Sequence, residues 1–197
     1  MSLMTDAELI AGTKAGDVDA FRTLFERYKR QVFGTAIGIT NDRELAEEIL
    51  QDCFLRVHQY ILRGKIDPSQ SLGAWLHRVA VNRSCDELRR ARWRRLVASI
   101  DEWAEFLQAP RCQSPEGHVQ RDELRTQLLD GLGTLDPLHR AVLILYYLQG
   151  FSIAEVATIL ECPEGTVKRR LHTARKRLRA LLERNAAFSW ELIYELA

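Results

Sequence analysis

The chain has 197 residues, 46% of them hydrophobic, which is enough apolar mass for one or two packed domains. Its 28 Lys/Arg nearly balance 27 Asp/Glu, for a formal net charge of +1, so any strongly charged surface has to be built locally. No apolar run approaches the roughly 20 residues that span a bilayer, and no signal peptide is expected ahead of the fold. These features exclude a membrane-inserted protein and lead to the expectation of a cytoplasmic one.

Eleven Gly and five Pro are few for this length, and β-branched alternation is scarce. The expected class is all-α: two small helical domains joined by a linker, the second containing a helix-turn-helix. Met1–Leu3, ahead of Met4, reads as an expression leader. Thr5 or Asp6 then caps a helix that buries Leu9 and Ile10 and ends at Ala15-Gly16-Asp17. Asp17 or Asp19 opens the next, with Ala20, Phe21, Leu24, Phe25, Tyr28, Val32 and Phe33 at three-to-four spacing. Thr40-Asn41-Asp42 is a loop and a new cap.

The helix Arg43–Leu62 turns Leu45, Ile49, Phe54, Val57 and Ile61 inward. Asp42, Glu44, Glu47, Glu48 and Asp52 against Arg43 give its first half a net charge of −4. Such a face suits a basic protein surface rather than DNA; acids at a helix N-terminus are also favoured by the dipole alone. Residues 63–72 form a loop with Gly64 and Pro68. The helix over 72–95 carries Trp75, Leu76, Val79, Ala80 and Leu88 on an apolar side. From His77 to Arg95 it has seven arginines (78, 83, 89, 90, 92, 94, 95) against Asp86 and Glu87, a net of +5. Trp75, His77, Asn82 and Trp93 among those arginines offer stacking and hydrogen bonds to unpaired bases, although Trp75 also fits a plain core position.

Residues 96–120 lack a sustained period and read as a linker, with one helical turn allowed at 101–107. Helical spacing returns over 119–135, with Leu124, Leu128, Leu129 and Leu132 inward. Asp136-Pro137 caps an apolar helix over 138–148, which Gly150 stops. Ser152 and Glu155 then form a capping box ahead of Ile153, Val156, Ala157 and Leu160. Glu161-Cys162-Pro163 breaks the pattern. A second helix starts near Pro163 and turns Val167, Leu171, Ala174 and Leu178 inward. Outward it presents Lys168, Arg169, His172, Thr173 and Lys176, flanked by Arg170, Arg175, Arg177 and Arg179. From Pro163 to Arg184 eight Lys/Arg face two acids, a net of +6. Two short helices at a tight turn, the second basic on its outer face, describe a helix-turn-helix whose second helix enters the DNA major groove. A phosphate backbone rewards such a cluster through counterion release. The tail 186–197 is apolar enough to need a partner, either its own domain or a regulator.

The four cysteines, Cys53, Cys85, Cys112 and Cys162, include no pair at C-x-x-C spacing, so no metal or other cofactor is expected and reduced thiols are. No convergent set of nucleophiles and acids suggests an enzyme. A stand-alone helix-turn-helix regulator is the alternative reading at this level.

Five segments carry a family resemblance: A-F-R-T-L-F-E-R-Y (20–28), E-L-A-E-E-I-L-Q-D-C-F-L-R-V (44–57), W-L-H-R-V-A-V-N-R-S-C-D-E-L-R-R (75–90), L-D-P-L-H-R-A-V-L-I-L-Y-Y-L-Q-G-F-S (135–152) and C-P-E-G-T-V-K-R-R-L-H-T-A-R-K-R-L (162–178). In this order the chain resembles an extracytoplasmic-function sigma factor, the smallest class of bacterial RNA polymerase sigma subunit. The resemblance implies a region 2 domain over 5–95, a linker over 96–120, a region 4 domain over 121–185 and a tail over 186–197. It implies that Glu47, Glu48, Gln51, Asp52 and Leu55 dock on the clamp helices of the core polymerase largest subunit. Trp75, His77, Arg78, Asn82 and Arg83 would serve the −10 promoter region, Arg78 and Asn82 holding the non-template strand and loop 64–71 pocketing a flipped base. In the −35 element, Lys168, Arg169 and His172 would lie near base edges and Arg170, Arg175 and Lys176 on phosphates, with Thr173 also on the DNA-binding face. An anti-sigma factor is the further partner the resemblance implies.

Overall fold

Local capping chemistry accounts for where the helices begin. Thr5 accepts the Glu8 N–H while the Glu8 carboxylate accepts the Thr5 N–H, which closes a capping box on α1 (Asp6–Lys14). The Asp17 carboxylate accepts the N–H groups of Asp19 and Ala20 and opens α2 (Val18–Thr40). Asn41, in the left-handed region at φ 53°, ends it. Asp42 caps α3 (Arg43–Leu62) by accepting from the Leu45 N–H. The long α4 (Leu72–Asp101) follows, its first turn held by Ser71 Oγ accepting from Ala74 N–H.

Asp136, with Pro137 behind it, opens α5 (Pro137–Leu143). Its continuation, Ile144–Leu148, is a π-helix. Ser152 and Glu155 form the expected capping box on α6 (Ile153–Ile159), and α7 (Glu164–Leu182) runs from the turn after it. This computed structural model describes residues 4–66, 71–101 and 131–182, with the backbone alone at 92–101 and 181–182. The described residues contain helices and no strand.

Two differences from the expected elements stand out. Helix α4 passes Arg95 and continues to Asp101, through the first residues assigned to the linker. The expected uniform helix over 138–148 instead switches at Ile144 to i→i+5 pairing, the form of the Gln149 N–H to Ile144 carbonyl bond. The rest of the linker, most of the helix expected over 119–135, loop residues 67–70 and the tail lie outside the described residues.

Helices α1 to α4 enclose one core, in which Leu9, Leu24, Ile49, Ile61 and Leu76 are almost fully buried. Each such side chain contributes about 1.5–3 kcal/mol on burial. Exposed ion pairs such as Arg22–Asp19 contribute about 0–1 kcal/mol each, so packing and not surface charge holds this half together. Phe25 meets Phe54 edge to face at 4.7 Å inside it. A second core gathers Leu135, Val142, Leu145, Val156, Ile159 and the four inward residues of α7. It is not closed off from the first half, because Ile39 of α2 and Val81 and Cys85 of α4 belong to it. Accordingly α5 and its π-helical continuation pack on α2, and α6 packs on α4.

Candidate nucleic-acid interface

The turn between α6 and α7 is made by Glu161, a non-glycine residue in the left-handed region at φ 50°. That conformation costs an L-residue about 1–2 kcal/mol, which the packing of Ile159 and Val167 on either side offsets. The same packing fixes which face of α7 is outward. Val167, Leu171, Ala174 and Leu178 are buried, and Lys168, Arg169, His172, Arg175 and Lys176 are exposed. Thr173 and Arg170 sit at the edge, the Arg170 guanidinium reaching Cys162 Sγ at 3.8 Å. Lys168 pairs with Glu164 at 3.6 Å in the first turn, and Arg175 Nε donates back to the Leu171 carbonyl at 3.4 Å. Arg169, His172 and Lys176 carry no ion pair to a described residue. Five of the seven residues expected to serve this surface are therefore exposed on one helix, with Arg170 and Thr173 at the edge of that face.

The second basic surface, on α4, is arranged differently. Asn82 is exposed. Trp75 is half-buried and tilted against Tyr60 at 5.3 Å, so its ring is part of the packing between α3 and α4. Arg83 Nε lies 2.6 Å from Asp52 Oδ2, and Arg83 Nη2 lies 3.5 Å from Glu87. The Arg83 Nε–H is not aimed at the carboxylate, so this contact is an ion pair rather than a directed hydrogen bond. Arg78 points at the C-terminal half: Nη1 donates to Glu161 Oε1 at 2.6 Å and Nη2 to the Thr158 carbonyl at 3.1 Å.

His77 departs furthest from its expected role. It is 1% exposed, with Nδ1 2.8 Å from Thr35 Oγ1 and its ring edge-on to Phe151 at 4.9 Å. Burial pushes its pKa down to about 4, so the imidazole is neutral. In this arrangement His77 has no route to DNA, and Arg78 is occupied. The reason is the docking of α6 and Phe151 against α4, which the sequence reading, with its two separate surfaces on a tether, did not contain.

The acidic face of α3 is accessible. Glu48, Gln51 and Leu55 are exposed, Leu55 at 63% being unusually open for a leucine. Glu47 pairs with Arg43 at 3.0 Å. Asp52 sits between Arg56 at 3.2 Å and Arg83 at 2.6 Å. The acidic surface of α3 and the basic surface of α4 are thus tied together at one carboxylate.

Sequence reasoning missed Arg140, Phe151, Glu161 and the glycine pair Gly34 and Gly38, all of which form the seam between the halves. A lone arginine inside L-H-R-A-V-L-I-L was the one local signal available. No described group of three His, Cys, Asp or Glu side chains is placed to hold a metal ion. Burial also raises the Cys53 and Cys85 thiols to about 12 and about 11, which keeps them protonated and poor ligands. Among the described residues no helix is long and apolar enough to cross a membrane.

A two-domain helical protein with a helix-turn-helix, a second basic helix and an accessible acidic face is of the sigma-subunit class. The profile "Sigma-70 region 2" matches residues 24–94, and "Sigma-70, region 4" matches residues 125–178. The chain is 34% identical over 176 residues to the ECF RNA polymerase sigma factor SigL of Mycobacterium tuberculosis, covering 88% of this chain and 95% of that one. It is 35% identical over 178 residues to SigM of the same organism, covering 90% and 85%. In fold it is similar to CnrH as solved in complex with the cytosolic domain of CnrY, with a TM-score of 0.67 at 23% identity over 91% of this chain and 98% of that one. The chain belongs to the ECF RNA polymerase sigma factors. It is an alternative sigma factor, a transcription initiation factor that directs RNA polymerase to promoters.

Proposed function

We propose that the two halves divide promoter recognition, residues 5–95 acting as region 2 and 121–185 as region 4, joined by the linker 96–120. Helix α7 reads the −35 duplex. Lys168, Arg169 and His172 lie toward base edges, Arg170, Arg175 and Lys176 contact phosphates, and Thr173 lies on the same DNA-binding face. Arg78, Asn82 and Arg83, with Trp75 and His77 behind them, serve the melted −10 strand. Unstacking a base costs a few kcal/mol, so capture there needs both the cations and ring or amide contacts. Glu47, Glu48, Gln51, Asp52 and Leu55 dock on core polymerase, where an exposed leucine beside an acidic surface matches an apolar contact with a basic rim.

The protein works in the cytoplasm, carries out no reaction itself, and is held in check by an anti-sigma factor. SigL and SigM are sigma factors by name, and CnrH was solved with CnrY bound. The observation that carries this reading is the exposed basic face of α7, on which Arg169 and Lys176 have no carboxylate partner among the described residues, opposite a fully buried inner row. Lys168→Ala with Arg169→Ala should lower initiation from a cognate promoter by about 30-fold or more, at about 1–3 kcal/mol for each of the two base contacts. Core polymerase retention by the same variant should be unchanged. Loss of core binding instead would place the wrong function on this helix.

A further inference from the structure

Three helix ends meet at one corner of the N-terminal half, where α4 begins. Trp75 of α4 lies tilted against Tyr60 of α3, ring centroids 5.3 Å apart. One turn further along α3, on the same side, stands Gly64. It follows the C-cap Arg63 and adopts φ 62°, and the next N–H, that of Lys65, donates back to the Tyr60 carbonyl at 2.9 Å. Lys14, the last residue of α1, lies over this bare turn: a β-carbon at Gly64 would stand 3.3 Å from its ammonium nitrogen. Trp75, Tyr60, Gly64 and Lys14 thus form a line across α4, α3 and α1.

Two features of this line are not explained by packing. Tyr60 remains 39% exposed although its ring has an aromatic neighbour. Lys14, Arg63 and Lys65 are exposed, and none has a carboxylate partner among the described residues. Elsewhere on the same half Arg22, Lys29, Arg43 and Arg56 each pair with an acid. A cation at a helix C-terminus is favoured by the dipole alone. That accounts for a lysine ending α1, but not for an open ring beside three uncompensated cations. Unpaired nucleic acid uses this combination: bases stack on the ring and phosphates meet the cations, with little regard to sequence. A duplex keeps its base faces inside its own stack, so the single strand is the form that fits.

We infer that the strand held on α4 continues past Trp75 over the ends of α3 and α1, a base stacking on Tyr60 and a phosphate meeting Lys14, with Arg63 and Lys65 as further cations along it. The inference rests on the assignment of α4 to −10 strand capture proposed above. Lys14 lies ahead of residues 24–94, which the region 2 profile matches, so the fold and not the family pattern brings α1 into the interface.

The test uses the holoenzyme, the full-length chain on core polymerase, with a short fluorescein-labelled mixed-sequence single strand and core polymerase alone as the blank. Lys14→Ala should lower the log–log salt slope of strand binding by about 0.7, the value for one phosphate on a single strand, and Lys14→Arg should keep the wild-type slope. Lys14→Ala with Lys65→Ala should lower it by about 1.4. A lysine that served only the α1 dipole would lower thermal stability and leave the slope alone. Tyr60→Leu keeps an apolar cover on Trp75 but offers no ring. It should weaken strand binding about fivefold or more, whereas Tyr60→Phe should bind as the wild type does. Retention on core polymerase should be the same for all of these variants.

An unchanged slope in Lys14→Ala, or wild-type strand binding by Tyr60→Leu, overturns the inference. So does an equal change in slope on a fully paired mixed-sequence duplex, since the corner would then be a general phosphate surface. Asn82→Ala on the same single strand scores the α4 assignment separately. Weaker binding by Asn82→Ala alone sinks the extended path and leaves α4 its role. Unchanged binding by Asn82→Ala sinks the strand role of α4 on which the path depends.

Discussion

Helices α7 and α4 are both arginine-rich, yet the fold treats their cations in opposite ways. On α7 the apolar row is satisfied within its own half, and the cations project into solvent. On α4 the apolar residues Val81 and Cys85 are shared with the other half, and Arg78 beside them is drawn into the seam. Arg78 and Arg83 have protein carboxylates for partners, whereas Arg169, His172 and Lys176 have none among the described residues. The contrast teaches that local charge density does not tell a ready DNA surface from a withheld one. What decides is whether the neighbouring apolar row is completed at home.

The sharpest way to break this contrast is to remove the residue that crosses the seam. Arg140→Ala strips two buried carbonyls and one partly buried carbonyl of their donor and opens a cavity. It should lower stability by about 3–5 kcal/mol in urea unfolding, because a buried polar group left without a partner carries its full desolvation cost. A loss under about 1 kcal/mol would mean that the seam contributes little and α4 is as available as α7.

Acid should act in the same direction. His77 titrates at about 4 in its buried site against 6.5 when exposed, with only the Thr35 hydroxyl and the Phe151 ring against it and Arg78 as its charged neighbour on α4. The folded pKa lies below the unfolded one, so the unfolded or parted chain binds more protons between them. Stability is then complete above pH 6.5 and falls as pH drops toward 4, by on the order of 3 kcal/mol. Unfolding free energies measured from pH 7.5 to 4.5 should show this slope, and His77→Gln should flatten it.

Next in size is the acidic face. Gln51→Ala with Asp52→Ala should weaken core polymerase binding about tenfold, read by pull-down titration. The Asp52 change also releases Arg83 and should tighten single-strand binding, whereas Gln51→Ala alone should not. Unchanged core binding by the double variant would refute the docking role.

The smallest effect separates the two basic helices most cleanly. Without polymerase, Lys176→Ala should reduce the salt dependence of duplex binding by about one phosphate contact, a change of about 0.9 in log–log slope. Arg78→Ala should leave that slope where it is, because its guanidinium is already held by Glu161. Equal slopes for the two variants would erase the distinction between an open helix and a withheld one.

Much of this architecture was legible from local chemistry. Thr5, Asp17, Asp42, Asp136 and Ser152 cap helices where their spacing says they should, because a cap needs only the next three residues. The inward row of α7 followed from its period, and the accessible cations followed from that row. Trp75 was open to a core reading for the same reason, and its packing against Tyr60 agrees with that reading. The five segments of family pattern carried the class. The withheld state of His77 and Arg78 was not legible, since both look like exposed members of a basic helix when the chain is read alone.

What the sequence determined by itself was most of the described helices, their caps and faces, and the sigma-factor class, because each depends on residues a few positions apart. Only the tertiary structure decided that the halves share a core. The bonds that join them link Arg78 to Glu161 and Arg140 to the Ile39 carbonyl, 83 and 101 residues apart in the chain. No periodicity encodes a contact at that separation. It arises when two glycines let one helix approach another closely enough for a buried arginine to reach across.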